Sequence, residues 1–144
     1  MIINRVYFSY VLLKGGVILD KRKLLSALLN TKDLKITITL FKTNDNYMIR
    51  VAYENDEELV KENNSDVNRE FVYYLSQLIE KADLETIDTK DYGLGNLVVY
   101  FGEDEYLMRY FDRQVLEDNE SLHQIIYALL SYVDDNEEIK EMIG

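Results

Sequence analysis

The chain has 144 residues, of which 47% are apolar and 30% are charged, and its formal net charge is −11. This size and composition exclude a disordered chain and predict a single domain, residues 1–144, with a real apolar core. A net charge this negative repels phosphate backbones and anionic lipid surfaces, so it argues against direct nucleic-acid or membrane binding and favours a basic protein partner.

The N-terminal part of the chain predicts a strand followed by a helix. Residues 2–13 are rich in Val, Tyr, Phe and Leu, as strands are, and the glycines at 15–16 supply a turn into a short return strand at 17–19. A helix is predicted over residues 20–30, with Asp20 as its N-cap. Its apolar face consists of four leucines: Leu24, Leu25, Leu28 and Leu29.

The segment 34–82 predicts a ββα unit. Strict alternation of apolar and polar residues over 34–40 indicates a strand with one buried face, and the following turn residues indicate a hairpin. The predicted elements are a strand at 34–40, a turn at 43–46, a strand at 48–53, an acidic loop at 54–64 and a helix from Ser65 or Asp66 to Ala82.

The same pattern returns in the second half of the chain. The predicted elements are a strand at 97–101, a turn at 102–105, a strand at 106–111, an acidic loop at 112–118, a helix at 122–133 and a short last helix capped by Asn136. The fold class is therefore predicted as α+β. It comprises an antiparallel sheet built from two ββα units, 34–82 and 96–133, with helices packed on it, plus an N-terminal strand and helix.

The two hairpins share a short local similarity. Residues 46–50, Asn-Tyr-Met-Ile-Arg, match residues 105–109, Glu-Tyr-Leu-Met-Arg, in their place within each hairpin. Either a duplication or convergence explains this match. It predicts that Arg50 and Arg109 occupy equivalent strand positions, where they either grip a partner's carboxylates or are neutralised by acids of their own unit.

The sequence offers no recognisable catalytic machinery. Cysteine is absent, which excludes disulfides and thiolate chemistry and fits a cytoplasmic protein. The lone histidine, His123, is predicted on the exposed side of its helix, and the glycines at 93 and 95 lack the setting of a phosphate-binding loop. The carboxylate clusters fall in predicted loops and tails. We therefore expect no enzyme activity, no cofactor and no metal site.

The first functional hypothesis is an inhibitor that occludes a basic enzyme acting on nucleic acid. Small acidic proteins of the immunity, antitoxin and phage anti-defence classes work in this way, by presenting carboxylates where phosphates would lie. The candidate partner-binding residues are loop acids and the tyrosines beside them: Asp56, Glu57, Glu58, Glu103, Asp104, Glu105, Tyr47 and Tyr106. The alternative left open is that the acidity only keeps the protein in solution.

Other hypotheses stay open. The order of elements is similar to that of type III secretion chaperones, which implies a dimer that binds an extended client, although a strand stands where those chaperones begin with a helix. Residues 1–42 carry eight basic and two acidic groups, a net of +6, and residues 43–144 carry eight basic and 25 acidic groups, a net of −17. This asymmetry allows head-to-tail assembly of a structural subunit. An enzyme with an unrecognised site is the remaining hypothesis.

Overall fold

The structure is a computed structural model. It describes residues 2–3, 9–12, 18–87, 90, 93–102 and 105–144, with side chains from residue 21 onward. The predicted turn at 15–16 and the candidate residues Glu103 and Asp104 lie outside the described residues.

Eight strands among the described residues form one sheet in which every pairing is antiparallel. They are β1 (Ile2–Ile3), β2 (Ser9–Leu12), β3 (Ile18–Asn30), β4 (Lys35–Thr43), β5 (Asn46–Asn55), β6 (Glu58–Val67), β7 (Gly95–Tyr100) and β8 (Glu105–Phe111). The order across the sheet is β1-β8-β7-β3-β4-β5-β6, and β2 pairs with the start of β3. The two predicted hairpins, β4–β5 and β7–β8, therefore flank β3, which lies at the centre.

The described helices pack on one face of this sheet, which we call the helix face; the opposite side is the far face. They are α1 (Arg69–Ala82), α2 (Arg113–Asp118), α3 (Glu120–Leu130) and α4 (Glu137–Ile143), with a 3-10 helix at Leu84–Thr86. The N-caps of the first three helices are Asn68, Asp112 and Asn119. The side chain of each accepts a hydrogen bond of 2.9 Å from the backbone N–H of the residue three positions later. The predicted α+β class, with helices packed on an antiparallel sheet, is confirmed.

The core forms where the alternating strand positions meet the apolar stripes of the helices. Leu25, Leu40 and Ile49 are neighbours across β3, β4 and β5 on the helix face. Leu75 of α1 and Ile125 of α3 belong to the same buried cluster. Burying such a side chain stabilises the fold by about 1.5–3 kcal/mol relative to leaving it in water.

The predicted helix at 20–30 is wrong, because this segment is the central strand β3. The spacing of its leucines is compatible with a helix and also with a strand. In the strand, Leu25 and Leu29 face the helices, while Leu28 lies on the far face opposite Thr37. β3 pairs with β4 on one edge and with β2 and β7 on the other. Tertiary pairing on both edges therefore overrides the helix propensity of the leucines.

The predicted acidic loop at 54–64 is also wrong. Residues 56–57 make a two-residue turn, and Glu58 begins the edge strand β6, which continues to Val67. Nearly every residue of β6 is exposed, so this strand carries no apolar alternation for a sequence pattern to show. The helix that follows is capped by Asn68 rather than by Ser65 or Asp66, since both of these still belong to β6.

The second unit follows the prediction more closely. Strands β7 and β8, the helix α3 and the last helix α4, with Asn136 at its N-cap position, are confirmed. The predicted loop at 112–118 is instead the short helix α2, which Asp112 caps. Its acidic residues led to the loop prediction, but the segment forms a helix of less than two turns that is anchored by the buried side chain of Leu116.

Candidate functional site

The candidate partner-binding residues divide between the two ends of the sheet. Asp56, Glu57 and Glu58 lie at the end that carries the β5–β6 turn. Glu105 and Tyr106 begin β8 at the opposite end, as Tyr47 begins β5. The 10 residues of β5 separate the two ends by about 30 Å.

The two candidate tyrosines are also far from each other. Three strands, β7, β3 and β4, lie between β8 and β5, and the registers place Tyr47 on the helix face but Tyr106 on the far face. Tyr47 packs against the core, and Tyr106 packs against Tyr100 with ring centroids 6.0 Å apart. Of the predicted site residues that the structure describes, Asp56, Glu57 and Glu58 therefore lie together at one end, and Glu105 and Tyr106 lie together at the other.

The expected equivalence of Arg50 and Arg109 is wrong. Arg50 lies on the far face, where it donates two hydrogen bonds to Glu62, of 2.6 and 3.2 Å. Arg109 lies on the helix face and donates to the carbonyl oxygens of Leu84 and Met108. A shift of one residue moves a strand position to the other face. The local sequence match therefore does not reflect equivalent places in the sheet, and each arginine is used inside the fold.

A second acidic segment joins Asp56, Glu57 and Glu58 at their end of the sheet. It is the turn between α3 and α4, which Asp134 attaches to the sheet. The Asp134 carboxylate accepts hydrogen bonds from Lys61 and from Asn63 of β6, the latter at 2.9 Å, and its backbone N–H donates to the Tyr53 hydroxyl. The hydrogen bond from Lys61 lowers the pKa of Asp134 and raises that of Lys61.

An apolar depression of about 250 Å³ opens between this turn and the sheet. Its apolar wall consists of Leu34, Ile36, Tyr53, Val60 and Ile139. Its charged rim consists of Lys61, Asp134, Asp135 and Glu138. A neighbouring polar depression shares Thr31 and Leu34 with it and reaches Asp56 and Glu57. The two acidic segments therefore border one continuous surface.

We call this surface the acidic end and define it by seven exposed carboxylates: Asp56, Glu57, Glu58, Asp134, Asp135, Glu137 and Glu138. Three of them, Asp56, Glu57 and Asp135, have φ values of 50°, 70° and 52°. Aspartate adopts left-handed backbone more readily than most residues do, whereas glutamate does not. The turns that present these carboxylates are therefore tight, and the turn at 56–57 is strained at Glu57.

Exposed apolar side chains lie beside the acidic end. Leu59 and Val60 are 54% and 62% exposed. Val60 is the extra residue of a β-bulge, because Leu59 is opposite Glu54 and Lys61 is opposite Tyr53. Besides the acids at 56–58, two adjacent apolar residues inside a polar segment were a sequence signal of this surface. Asp134 and Glu138 complete the border of the depression from more than 70 residues away along the chain, and no sequence signal indicated this.

The sequence predicted that His123 lies on the exposed side of its helix. This prediction is wrong, because the residue is half-buried. Its ring stands edge-on to Tyr127 at 4.8 Å, and its Nε2 atom is buried without a hydrogen-bond partner among the described residues. Within the same residues no three His, Asp or Glu side chains come together as metal ligands.

Comparison of the chain with protein-family models and with curated proteins finds no match. Within the described residues, no helix combines the length and the apolar character that a membrane crossing requires.

Proposed function

We propose that this protein binds a basic protein through the acidic end and inhibits it, and that the target is an enzyme that acts on nucleic acid. The observation that supports this is the arrangement of the acidic end. Carboxylates of the turn at 134–138 border an apolar depression in which Val60 is exposed, and Asp56 and Glu57, distant in sequence, border the polar depression that adjoins it together with Lys32 and Lys35.

This arrangement has the anatomy of a protein interface. Interfaces combine a desolvated apolar centre with a polar rim that remains in contact with water. Here the depression supplies the centre, and its rim bears the exposed carboxylates Asp134, Asp135 and Glu138. Rim charges mainly raise the association rate, so binding to a basic target would be fast and would weaken as salt is added.

Inhibition follows from what such a target uses its basic surface for. An enzyme that acts on nucleic acid neutralises phosphates with lysine and arginine. The tight turns present Glu57 and Asp135 at the same end of the sheet, where their carboxylates would occupy phosphate sites of the target. The inhibitor would then compete with the nucleic acid without needing to reach the catalytic groups.

The free edge of β6 favours a second candidate, a dimeric client-binding protein similar to secretion chaperones. Among the described residues β6 pairs only with β5, and an edge of this kind accepts extended segments. The order of elements departs from that class, since the segment predicted as its first helix is β3. A dimer at micromolar concentration in sedimentation would favour this candidate over the inhibitor.

The test is affinity capture from the native host lysate at low and high salt, read by mass spectrometry. Wild type is compared with the double variant Glu57→Lys, Glu138→Lys, which reverses two carboxylates of the acidic end. The matched control is Glu85→Lys, Glu105→Lys, which makes the same change in charge near β8 on the other side of the sheet.

We expect wild type and the control to retain a basic protein at low salt only, and the acidic-end variant to lose it. The captured protein should act on nucleic acid, and adding the purified inhibitor should block that activity. Equal capture by both variants would exclude the acidic end. Capture without inhibition would exclude the inhibitor function.

A further inference from the structure

Strand β6 forms one border of the sheet in the part of the chain that the structure describes. It has 10 residues, and all its pairings are with β5. In an antiparallel strand, successive residues turn their N–H and C=O groups to alternate edges. About half of the main-chain groups of β6 therefore point away from β5, ready to pair with another strand.

The side chains of β6 give this edge a defined charge. The two groups nearest its middle are used inside the fold, since Lys61 binds Asp134 and Glu62 binds Arg50. Glu58 and Asp66, near the two ends of β6, have no ion-pair partner among the described residues. The unpaired charge along the edge is therefore negative, and the acidic turn at 56–57 adds to it.

This charge distinguishes between two occupants of the edge. A second copy pairing with two-fold symmetry about Glu62 would place Glu62 opposite Glu62. The register about Lys61 would place two lysines opposite each other, and the register about Asn63 would pair Glu62 with Asn64 and Lys61 with Ser65, which brings no attraction between charges. Like charges directly opposite one another destabilise a strand pair. An extended segment that carries lysine or arginine meets no such repulsion and gains attraction at Glu58 and Asp66.

We infer that an extended, basic segment of a partner protein adds to the sheet as a further strand beside β6. The inference rests on the proposed function in one respect, since it takes the partner to be basic. The bulge at Val60 gives the segment its register, because an apolar side chain opposite the bulge reaches the depression lined by Tyr53 and Ile139. Main-chain hydrogen bonds supply affinity, and the depression and the charges supply specificity.

The probe is a synthetic ten-residue peptide of alternating lysine and valine, with both termini blocked. Two further versions carry N-methyl groups on the backbone. One is methylated at the backbone nitrogen of every lysine, and the other at the backbone nitrogen of every valine. Because alternate residues of a strand use opposite edges, only one of these versions loses the hydrogen bonds that face β6. A peptide with glutamate in place of lysine serves as the charge control.

Affinity is measured by calorimetry, and amide exchange is measured residue by residue by NMR. We expect the unmodified peptide and one methylated version to bind, and the other methylated version and the glutamate peptide to bind at least about tenfold more weakly. The fast-exchanging amides of β6 should become protected by about tenfold or more when the peptide binds, because they gain main-chain partners.

Equal binding of both methylated versions, or unchanged exchange in β6, would overturn the inference. Protection of the β6 edge in a dimer without peptide would overturn it as well, since the occupant would then be a second copy. If lysate capture still retains a basic protein while the peptide leaves β6 unprotected, the proposed function stands and only the strand addition fails. If the peptide pairs with β6 but lysate capture fails, the proposed target is wrong instead.

Discussion

Strands β3 and β6 occupy opposite environments in the same sheet. β3 pairs on both edges and contributes Leu25, Ala27 and Leu29 to the core, each 1% exposed or less. β6 pairs on one edge among the described residues, and its side chains are mostly exposed. The comparison suggests that stability is concentrated at the centre of the sheet, whereas the groups available for recognition are concentrated at its border.

The sharpest test of this comparison is one substitution in each strand. Leu29→Ala in β3 should lower the free energy of unfolding by about 2–5 kcal/mol, because it leaves a cavity in a closely packed core. Leu59→Ala in β6 should change it by no more than about 0.5 kcal/mol, because that side chain already faces water. Urea denaturation of both variants measures the difference, and similar losses would contradict the division between centre and border.

The contact between β3 and β7 gives the next largest effect. A Cβ atom on Gly95 would lie 2.1 Å from the carbonyl oxygen of Leu28 and 3.0 Å from the Phe111 ring. Gly95→Ala should therefore destabilise the protein by about 1–3 kcal/mol, because backbone must move. Gly93→Ala is the control, since nothing lies within 4 Å of its Cβ position. Thermal unfolding that shows the same loss for both variants would refute this account.

The β5–β6 turn should respond in the opposite direction. Glu57 has a φ of 70°, which glycine adopts without strain. Glu57→Gly should therefore stabilise the protein by about 1 kcal/mol. Asp45→Gly in the β4–β5 turn is the control: Asp45 is not among the positive-φ residues, so glycine there should destabilise. Urea midpoints of the two variants should move in opposite directions.

The smallest effect is expected at the far face of β6. The hydrogen bond from Arg50 lowers the pKa of Glu62 below its ordinary value. Its stabilising contribution is therefore complete above the ordinary glutamate pKa and is lost as the pH falls through the lower, folded-state pKa. Both side chains are 34% exposed, so solvent screening limits the contribution to less than about 1 kcal/mol.

Glu62→Gln measures that contribution through its pH dependence. The variant should be slightly less stable than wild type near pH 7, and the difference should disappear as the pH falls through the lowered pKa of Glu62, where the wild-type carboxylate also becomes protonated. Denaturation curves at several pH values provide the measurement. A difference that grows as the pH falls would contradict the assignment of the pKa shift to Arg50.

How far the sequence predicted this structure depended on which strands were half-buried. β4 and β5 alternate between core and solvent, so their pattern revealed both the strands and the hairpin. β3 has apolar residues on both faces and resembled a helix, while β6 has exposed residues on both faces and resembled a loop. Strands of these two kinds lack the alternation on which sequence-based assignment depends.

The candidate site was predicted only in part. The acids at 56–58 were identified from their place in a predicted acidic loop, but the sequence did not show that Asp135 and Glu138 lie at the same end of the sheet. It also suggested that Tyr47 and Tyr106 belong together, although they lie on opposite faces. The proximity of residues in different elements depends on strand order and register, which local composition does not encode.

Sequence by itself determined the α+β class, the two hairpins, the long helices and the excess of carboxylates, because these depend on local periodicity and composition. Tertiary structure alone decided that the leucine-rich segment 20–30 becomes the central strand, and that the acidic turns at 56–58 and 134–138 lie at the same end of the sheet, beside two adjoining depressions. The physical reason is that burial and backbone pairing are properties of neighbours in space. A segment with two acceptable local conformations takes the one that its neighbours stabilise.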